Sequence, residues 1–306
     1  MREIIVITGP TATGKTALGA LLAKTLDGEV LSADSMQIYR HMDVGTAKPT
    51  AAEMLGVPHH MIDIAEPQEE YSVARYINDA AMCINGIKNR GRQPILVGGT
   101  GLYIDSLLSG RRFARRANEE QRRKLETRYD TQGGEAMLRE LEKFDPQSAL
   151  RLSANDKKRI VRAFEIYETT GQTITQHDEE TKKLPPRYTA TKYALTYADR
   201  EVLYKQIERR VGAMIDSGLE AEVKALLDMG VSPGSTAMQA IGYKEMAGAI
   251  AGEYSPEEAK AMITLRTRRY AKRQLTWLRR DDSVRWITWD KAPDIQRAAR
   301  EILLSR

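Results

Sequence analysis

The chain has 306 residues, 47 of them Lys or Arg and 42 Asp or Glu, for a net charge of +5, with a single cysteine. That length fits about two domains and buries enough surface to need no covalent staples. The lone Cys83 excludes an intramolecular disulfide and a Cys-rich zinc site, and no apolar run approaches the roughly 18 residues of a membrane helix. Met1-Arg2-Glu3 and the short apolar run after it lack the long apolar stretch of a secretory signal, so the expected location is cytoplasmic.

Ile4 to Thr8 (IIVIT) is a β-branched apolar run, the mark of a buried parallel strand. A helix is expected over Ala17–Leu26. A second strand begins at Val30-Leu31 and ends at Asp34. Tyr71 to Lys88 is helical in pattern, with Val73, Ile77, Ala80, Ala81 and Ile84 on one face. Ile95-Leu96-Val97 reads as a third strand, stopped by Gly98-Gly99. Strands alternating with helices predict an α/β fold, a P-loop-like parallel sheet with helices on both faces.

The pattern changes near Arg111. From there to Pro186 it reads as charged helices, over 118–129, 135–143 and from Asn155 or Asp156 to Thr170, with Gly171 as a stop. Strand character returns at Thr191–Thr196. Two long helices follow, one with the stripe Leu203, Ile207, Val211, Met214 and one over Pro256–Leu278, and Val284–Trp289 alternates like a last strand. The expected organisation is a discontinuous core, 1–113 and 187–306, around an all-helical insertion, 114–186.

Cations cluster twice. Arg111 to Arg128 holds eight basic and three acidic residues, and Arg266 to Arg280 holds seven basic residues and no acid. Such clusters suit a polyanion partner, a solvated helix face being the competing reading.

Gly9-Pro10-Thr11-Ala12-Thr13-Gly14-Lys15-Thr16 fits G-x-x-x-x-G-K-[ST], preceded by a strand and followed by a helix. Small residues let successive amides curl around a phosphate, and the new helix adds its positive end. Lys15 supplies a charge, and the Thr16 hydroxyl can ligate Mg²⁺. Asp34 is the carboxylate best placed to face this site, since strand ends on this side of a parallel sheet meet the ligand crevice. A turn or cap role is its alternative. His59-His60 lacks partners for a metal site. Trp277, Trp286 and Trp289 read as packing residues, with base stacking as the alternative.

GPTATGKT, DSMQIYR from Asp34, VGTAKPT from Val44, PHHMIDI from Pro58, GGTGLYIDSLL from Gly98, QAIGYKE from Gln239 and RRYAKRQLTW from Arg268 together resemble the bacterial tRNA dimethylallyltransferase family, end to end and in the same order. The resemblance implies transfer of a dimethylallyl group from dimethylallyl diphosphate to the exocyclic amine of the adenine 3′ of the anticodon, with release of diphosphate. It implies Asp34 as the catalytic base. Gly9 to Thr16 and Arg210 would hold the diphosphate, with Mg²⁺ at Thr16. Ser35, Met36, Gln37 and Thr100 would receive a flipped base. The anticodon arm would meet Arg122, Arg123 and the Lys158-Arg159-Ile160-Val161-Arg162 stretch, with Ile160 able to turn inward. Arg266, Arg269, Lys272 and Arg273 would face further phosphates. The remaining partner expectations are no membrane and a monomer. A P-loop kinase or ATPase leaves the basic insertion idle, an enzyme prenylating free adenine nucleotides needs no tRNA clamp, and a noncatalytic RNA-binding protein leaves Asp34 without a task.

Overall fold

The computed structural model describes residues 3–110, 113–114 and 118–305. The chain forms two compact units, Met1–Leu108 with Tyr188–Arg306, and Ser109–Arg187.

The larger unit is built on six strands: β1 (Ile4–Thr8), β2 (Gly28–Ser32), β3 (His59–His60), β4 (Gln93–Val97), β5 (Ala190–Tyr197) and β6 (Val284–Trp289). They pair in parallel in the order β3-β2-β4-β1-β5-β6. Every residue of β1 is buried, as a strand covered by helices on both faces requires. Its register, Ile5 opposite Ile95 on one side and Thr191 on the other, centres it between β4 and β5. The chain leaves β1 toward β2 and reaches its other side only with β5. The C-terminal end of β1 is therefore a switch point, where open α/β sheets bind ligands.

The helices of this unit are α1 (Lys15–Thr25), α2 (Val73–Asn89) and α3 (Gly101–Leu108) before the insertion. Those of the other unit are α4 (Glu119–Gln132), α5 (Gly134–Phe144), α6 (Pro146–Arg151), α7 (Lys157–Thr170) and α8 (Ile174–Lys182). The larger unit then resumes with α9 (Arg200–Asp216), α10 (Leu219–Asp228), α11 (Tyr243–Ile250), α12 (Pro256–Leu278) and α13 (Ile295–Leu304). The start of α12 is set by a capping box, Ser255 with Glu258, and by Pro256 in its first turn.

Two sequence expectations shift. β2 stops at Ser32, so Asp34 lies two residues beyond the strand, in the turn that follows. In α2 the core face takes Tyr76 and Ile87, and Ala81 is only half-buried. Tyr76 was missed because its ring stacks on Tyr103 of α3, 3.9 Å between centroids, a partner from outside the helix.

The smaller unit has its own core: Leu125, Met137, Leu141, Ile160, Val161, Ala163 and Phe164. Asn118 caps α4, and Gly171 ends α7 in a left-handed conformation. Among the described residues no helix is long and apolar enough to cross a membrane.

Candidate active site

The segment after β1 turns sharply into α1. Gly9 has φ +138°, and a Cβ there would lie 2.4 Å from the Leu195 carbonyl oxygen of β5, so only glycine fits. The loop's carbonyls are held outward. Pro10 O accepts from Thr13 Oγ1 at 2.8 Å and from Lys15 Nζ at 2.7 Å. Ala12 O accepts from the Tyr197 hydroxyl at 3.2 Å, and Thr13 O from Trp289 Nε1 at 3.0 Å. Among the described residues, the amides of Ala12, Thr13, Gly14, Lys15 and Thr16 donate to no protein acceptor. Five successive free amides at a helix start form an anion cradle. Gln274 of α12 braces it, accepting from Thr11 N at 3.2 Å and donating to Gly99 O at 2.9 Å.

The cradle opens into a cavity of about 350 Å³. Thr11, Lys15, Thr16, Asp34, Ser35, Met36, Gln37 and Arg210, the residues expected around the diphosphate and the base, line it, and so does Arg273, expected instead against further phosphates. Asp34 Oδ1 accepts from Met36 N at 2.9 Å and Gln37 N at 3.4 Å, and among the described residues no donor reaches Oδ2. The turn role and an open carboxylate oxygen thus coexist in one residue. Thr100 is not on the cavity surface. It stands behind Ser35, whose amide donates to Thr100 Oγ1 at 3.1 Å. Gln37 spends its amide locally: Oε1 accepts from Ser32 Oγ at 2.9 Å, and Nε2 donates to Thr46 O at 3.4 Å and Ala47 O at 3.3 Å.

The site is electropositive at one end. Burial, then the Arg210 guanidinium, push the enclosed Lys15 ammonium down to about 7, against the opposing pull of Asp34. Burial also lowers Arg210, again opposed by Asp34. Arg210 makes one long hydrogen bond, Nη2 to Thr46 O at 3.4 Å. Two enclosed cations with one carboxylate opposite them call for an anion. An apolar part of the lining is formed by Met36, Val97, Val211, Met214, Ala240 and Ile241. Tyr270 also lines the cavity, its phenol pushed up to about 12 by burial and then by Asp34.

Several lining residues were missed. Gly45, Thr46, Ala47, Gln239, Tyr270 and Gln274 lie in motifs already recognised but given no role there. Val211 and Met214 read as a core stripe, and they are buried; they also face the cavity.

The basic residues divide. On α12, Arg269 and Lys272 are exposed, and Arg273 is exposed with its guanidinium 5.6 Å from the Tyr270 ring. Arg266 instead pairs with the buried Glu245 of α11. In the helical unit Arg123, Lys158 and Arg159 are exposed. Arg122 pairs with Glu126 at 3.0 Å. Ile160 and Val161 are 0% and 1% exposed, so their side chains pack the helical core and cannot reach a partner. Arg162 is turned inward, 2.8 Å from the buried Glu165 and donating to Ala114 O at 2.8 Å, against the expectation that it meets the anticodon arm. Arg111, Arg112, Arg115 and Arg116 of the first cationic cluster lie outside the described residues.

His60 Nε2 lies 2.6 Å from Glu29 Oε2, a structural pairing at the edge strand. Trp277 Nε1 donates to Asp105 Oδ2 at 2.7 Å, and Trp289 holds the phosphate loop, so both indoles serve packing. Among the described residues no three His, Cys, Asp or Glu side chains group as a metal site.

The family model for IPP transferases matches residues 37–281. A tRNA dimethylallyltransferase from Caldanaerobacter subterraneus subsp. tengcongensis is 46% identical over 222 residues, 72% of this chain and 70% of that protein. The crystal structure of a tRNA isopentenylpyrophosphate transferase from Bacillus halodurans has a TM-score of 0.73 and 41% identity, covering 99% of this chain and 96% of that one. A eukaryotic dimethylallyltransferase acting on tRNA has a TM-score of 0.81 and 28% identity, covering 100% of this chain and 80% of that one. With a family-model match over most of the chain and relatives of this identity and coverage, the chain belongs to the IPP transferase family.

Proposed function

We propose that this protein transfers a dimethylallyl group from dimethylallyl diphosphate to the exocyclic amine of the adenine 3′ of the anticodon in certain tRNAs, releasing diphosphate. The observation that carries the reading is one cavity holding an anion cradle with Lys15 and Arg210, apolar walls, and Asp34 with an open oxygen.

Each part has a task. The amides of residues 12–16, Lys15 and Arg210 bind the diphosphate and stabilise the charge it gains as its C–O bond breaks. The apolar walls suit a five-carbon chain and exclude water that would hydrolyse it. Asp34 Oδ2 takes the proton from the adenine amine, a poor nucleophile, as the new C–N bond forms. Ser35, Met36 and Gln37 border the place of the base, which leaves its stack at a cost of a few kcal/mol. Thr100 fixes Ser35 from behind.

Mg²⁺ fits the donor set. The Thr16 hydroxyl lines the cavity beside the anion cradle, and this ion binds through one or two protein oxygens with phosphate and water completing its shell. When bound, it would neutralise charge on the diphosphate. The exposed Arg123, Lys158 and Arg159 of the helical unit, and Arg269, Lys272 and Arg273 of α12, contribute to phosphate contacts with the anticodon arm. On this reading the protein works as a cytoplasmic monomer.

The test is incubation with labelled dimethylallyl diphosphate, Mg²⁺ and unmodified tRNA, beside parallel reactions with AMP and with labelled ATP. Label in tRNA alone is expected. Label in AMP, or ATP hydrolysis without transfer, would replace the reading.

A further inference from the structure

One wall of the cavity is the loop Gly45-Thr46-Ala47, which belongs to no helix or strand. The run Asp43-Val44-Gly45, which leads into it, points three successive amides at a single carboxylate, Glu222 of α10. Asp43 N and Val44 N donate to Oε2 at 2.7 and 2.8 Å, and Gly45 N donates to Oε1 at 3.0 Å. The Tyr243 hydroxyl donates to Oε1 at 2.5 Å. We propose that Glu222, with Tyr243, is a positioning residue of the transfer reaction, shaping loop 43–47 so that its carbonyls hold Arg210 and Gln37 in place.

A carboxylate offers about four acceptor sites, and here four donors take them. Glu222 is therefore fully engaged and does not itself line the cavity. Converging backbone amides of this kind usually hold an anion, and hydrogen bonds to an ionised acceptor are about twice as strong as neutral ones. The clamp is also steric. A Cβ at Gly45 would lie 2.4 Å from the Tyr243 ring, so the backbone rests directly on that ring. Inside the loop, Thr46 Oγ1 donates to Met42 O at 2.6 Å.

The consequence appears at the next two carbonyls. Thr46 O accepts from Arg210 Nη2 and from Gln37 Nε2, both at 3.4 Å, and Ala47 O accepts from Gln37 Nε2 at 3.3 Å. These bonds are already long, so a loop shift of a few tenths of an ångström breaks them. Arg210 would then be free to turn away from Lys15, which it repels. One carboxylate outside the cavity thus governs a group at the diphosphate end and one beside Asp34.

This inference rests on the transfer reading, and the experiment separates the two. Glu222→Gln replaces an acceptor oxygen by an NH₂ that faces amide donors. Tyr243→Phe removes one of the four bonds and keeps the ring against Gly45. Calorimetry with inorganic diphosphate needs no turnover; it is run beside steady-state transfer, tRNA binding and thermal unfolding. Glu222→Gln is expected to weaken diphosphate binding about tenfold and to lower kcat as well, with tRNA affinity unchanged. Tyr243→Phe should shift the same quantities less, and it carries the test if Glu222→Gln does not fold. A purely structural role would lower the melting temperature and leave diphosphate affinity and kcat of the folded protein as they were, and that result overturns the proposal. Absence of transfer by the unaltered protein would overturn the functional reading, while the calorimetry would still decide on Glu222.

Discussion

Replacing Gln274 by Leu keeps the size and helix propensity of the side chain and deletes both polar atoms. Gln274 is 6% exposed, so water cannot take over its bonds to Thr11 N and Gly99 O. A buried group left without its partner costs about 1–3 kcal/mol, and two are stranded. Added apolar burial by Leu offsets part of this, leaving a net loss of about 2–4 kcal/mol. For a unit of this size that corresponds to a fall in Tm of roughly 5–15 °C. The brace also joins the phosphate loop to the end of β4, so the KM for the donor should rise about tenfold. Gln274→Glu keeps the acceptor for Thr11 N but sets a carboxylate against the Gly99 carbonyl, and should be at least as damaging. Thermal unfolding followed by circular dichroism, with donor KM measured well below the transition, gives both quantities. A Leu variant within about 2 °C of the unaltered protein, with the same KM, would refute the reasoning.

Lys15→Ala should weaken inorganic diphosphate binding about 10–100-fold, the worth of one charge-assisted contact, while tRNA still binds; calorimetry and a filter-binding assay read the two. Neutralising Arg123, Lys158 and Arg159 together should lower the salt dependence of tRNA binding by up to about 2–3 in log–log slope, and an unchanged slope would mean a merely solvated face. Glu29 is 2% exposed, and its hydrogen bond to Arg90, with His60 adding to it and burial opposing, holds it down at about 2. Its folded pKa lies below the unfolded value. The stability it contributes is thus complete above about pH 4.5 and is lost as pH falls toward 2, at most about 3 kcal/mol. Urea midpoints of the unaltered protein and Glu29→Gln should therefore converge across that window.

What the sequence made legible follows from how local each signal is. β1 and β6 are short β-branched or alternating runs and read directly; the phosphate loop reads from spacing alone. α12 announces itself through Ser255, Pro256 and Glu258. β3 is two residues long at a sheet edge and carries no periodicity. The charged residues read least well. Arg162 and Arg266 look like free cations in a basic run, but Glu165 and Glu245 lie buried beneath them, and the Glu245 pairing spans 21 residues. Gln274 is one polar residue among many until α12 packs beside the phosphate loop. Asp34 reads as a strand end in the sequence and is a turn residue with one oxygen spare, a distinction that only the amides of Met36 and Gln37 make.

The central claim is that Asp34 accepts the proton as the adenine amine is alkylated. Asp34→Asn retains Oδ1, which holds the turn, and replaces the open carboxylate oxygen with an NH₂. Single-turnover transfer at saturating tRNA and donor, run across a Mg²⁺ series, isolates the chemical step. The account predicts a loss on the order of 10²–10⁴ in rate, with donor and tRNA affinities little changed and no rescue by added Mg²⁺. A variant within about threefold of the unaltered protein, or one restored by high Mg²⁺, would contradict it.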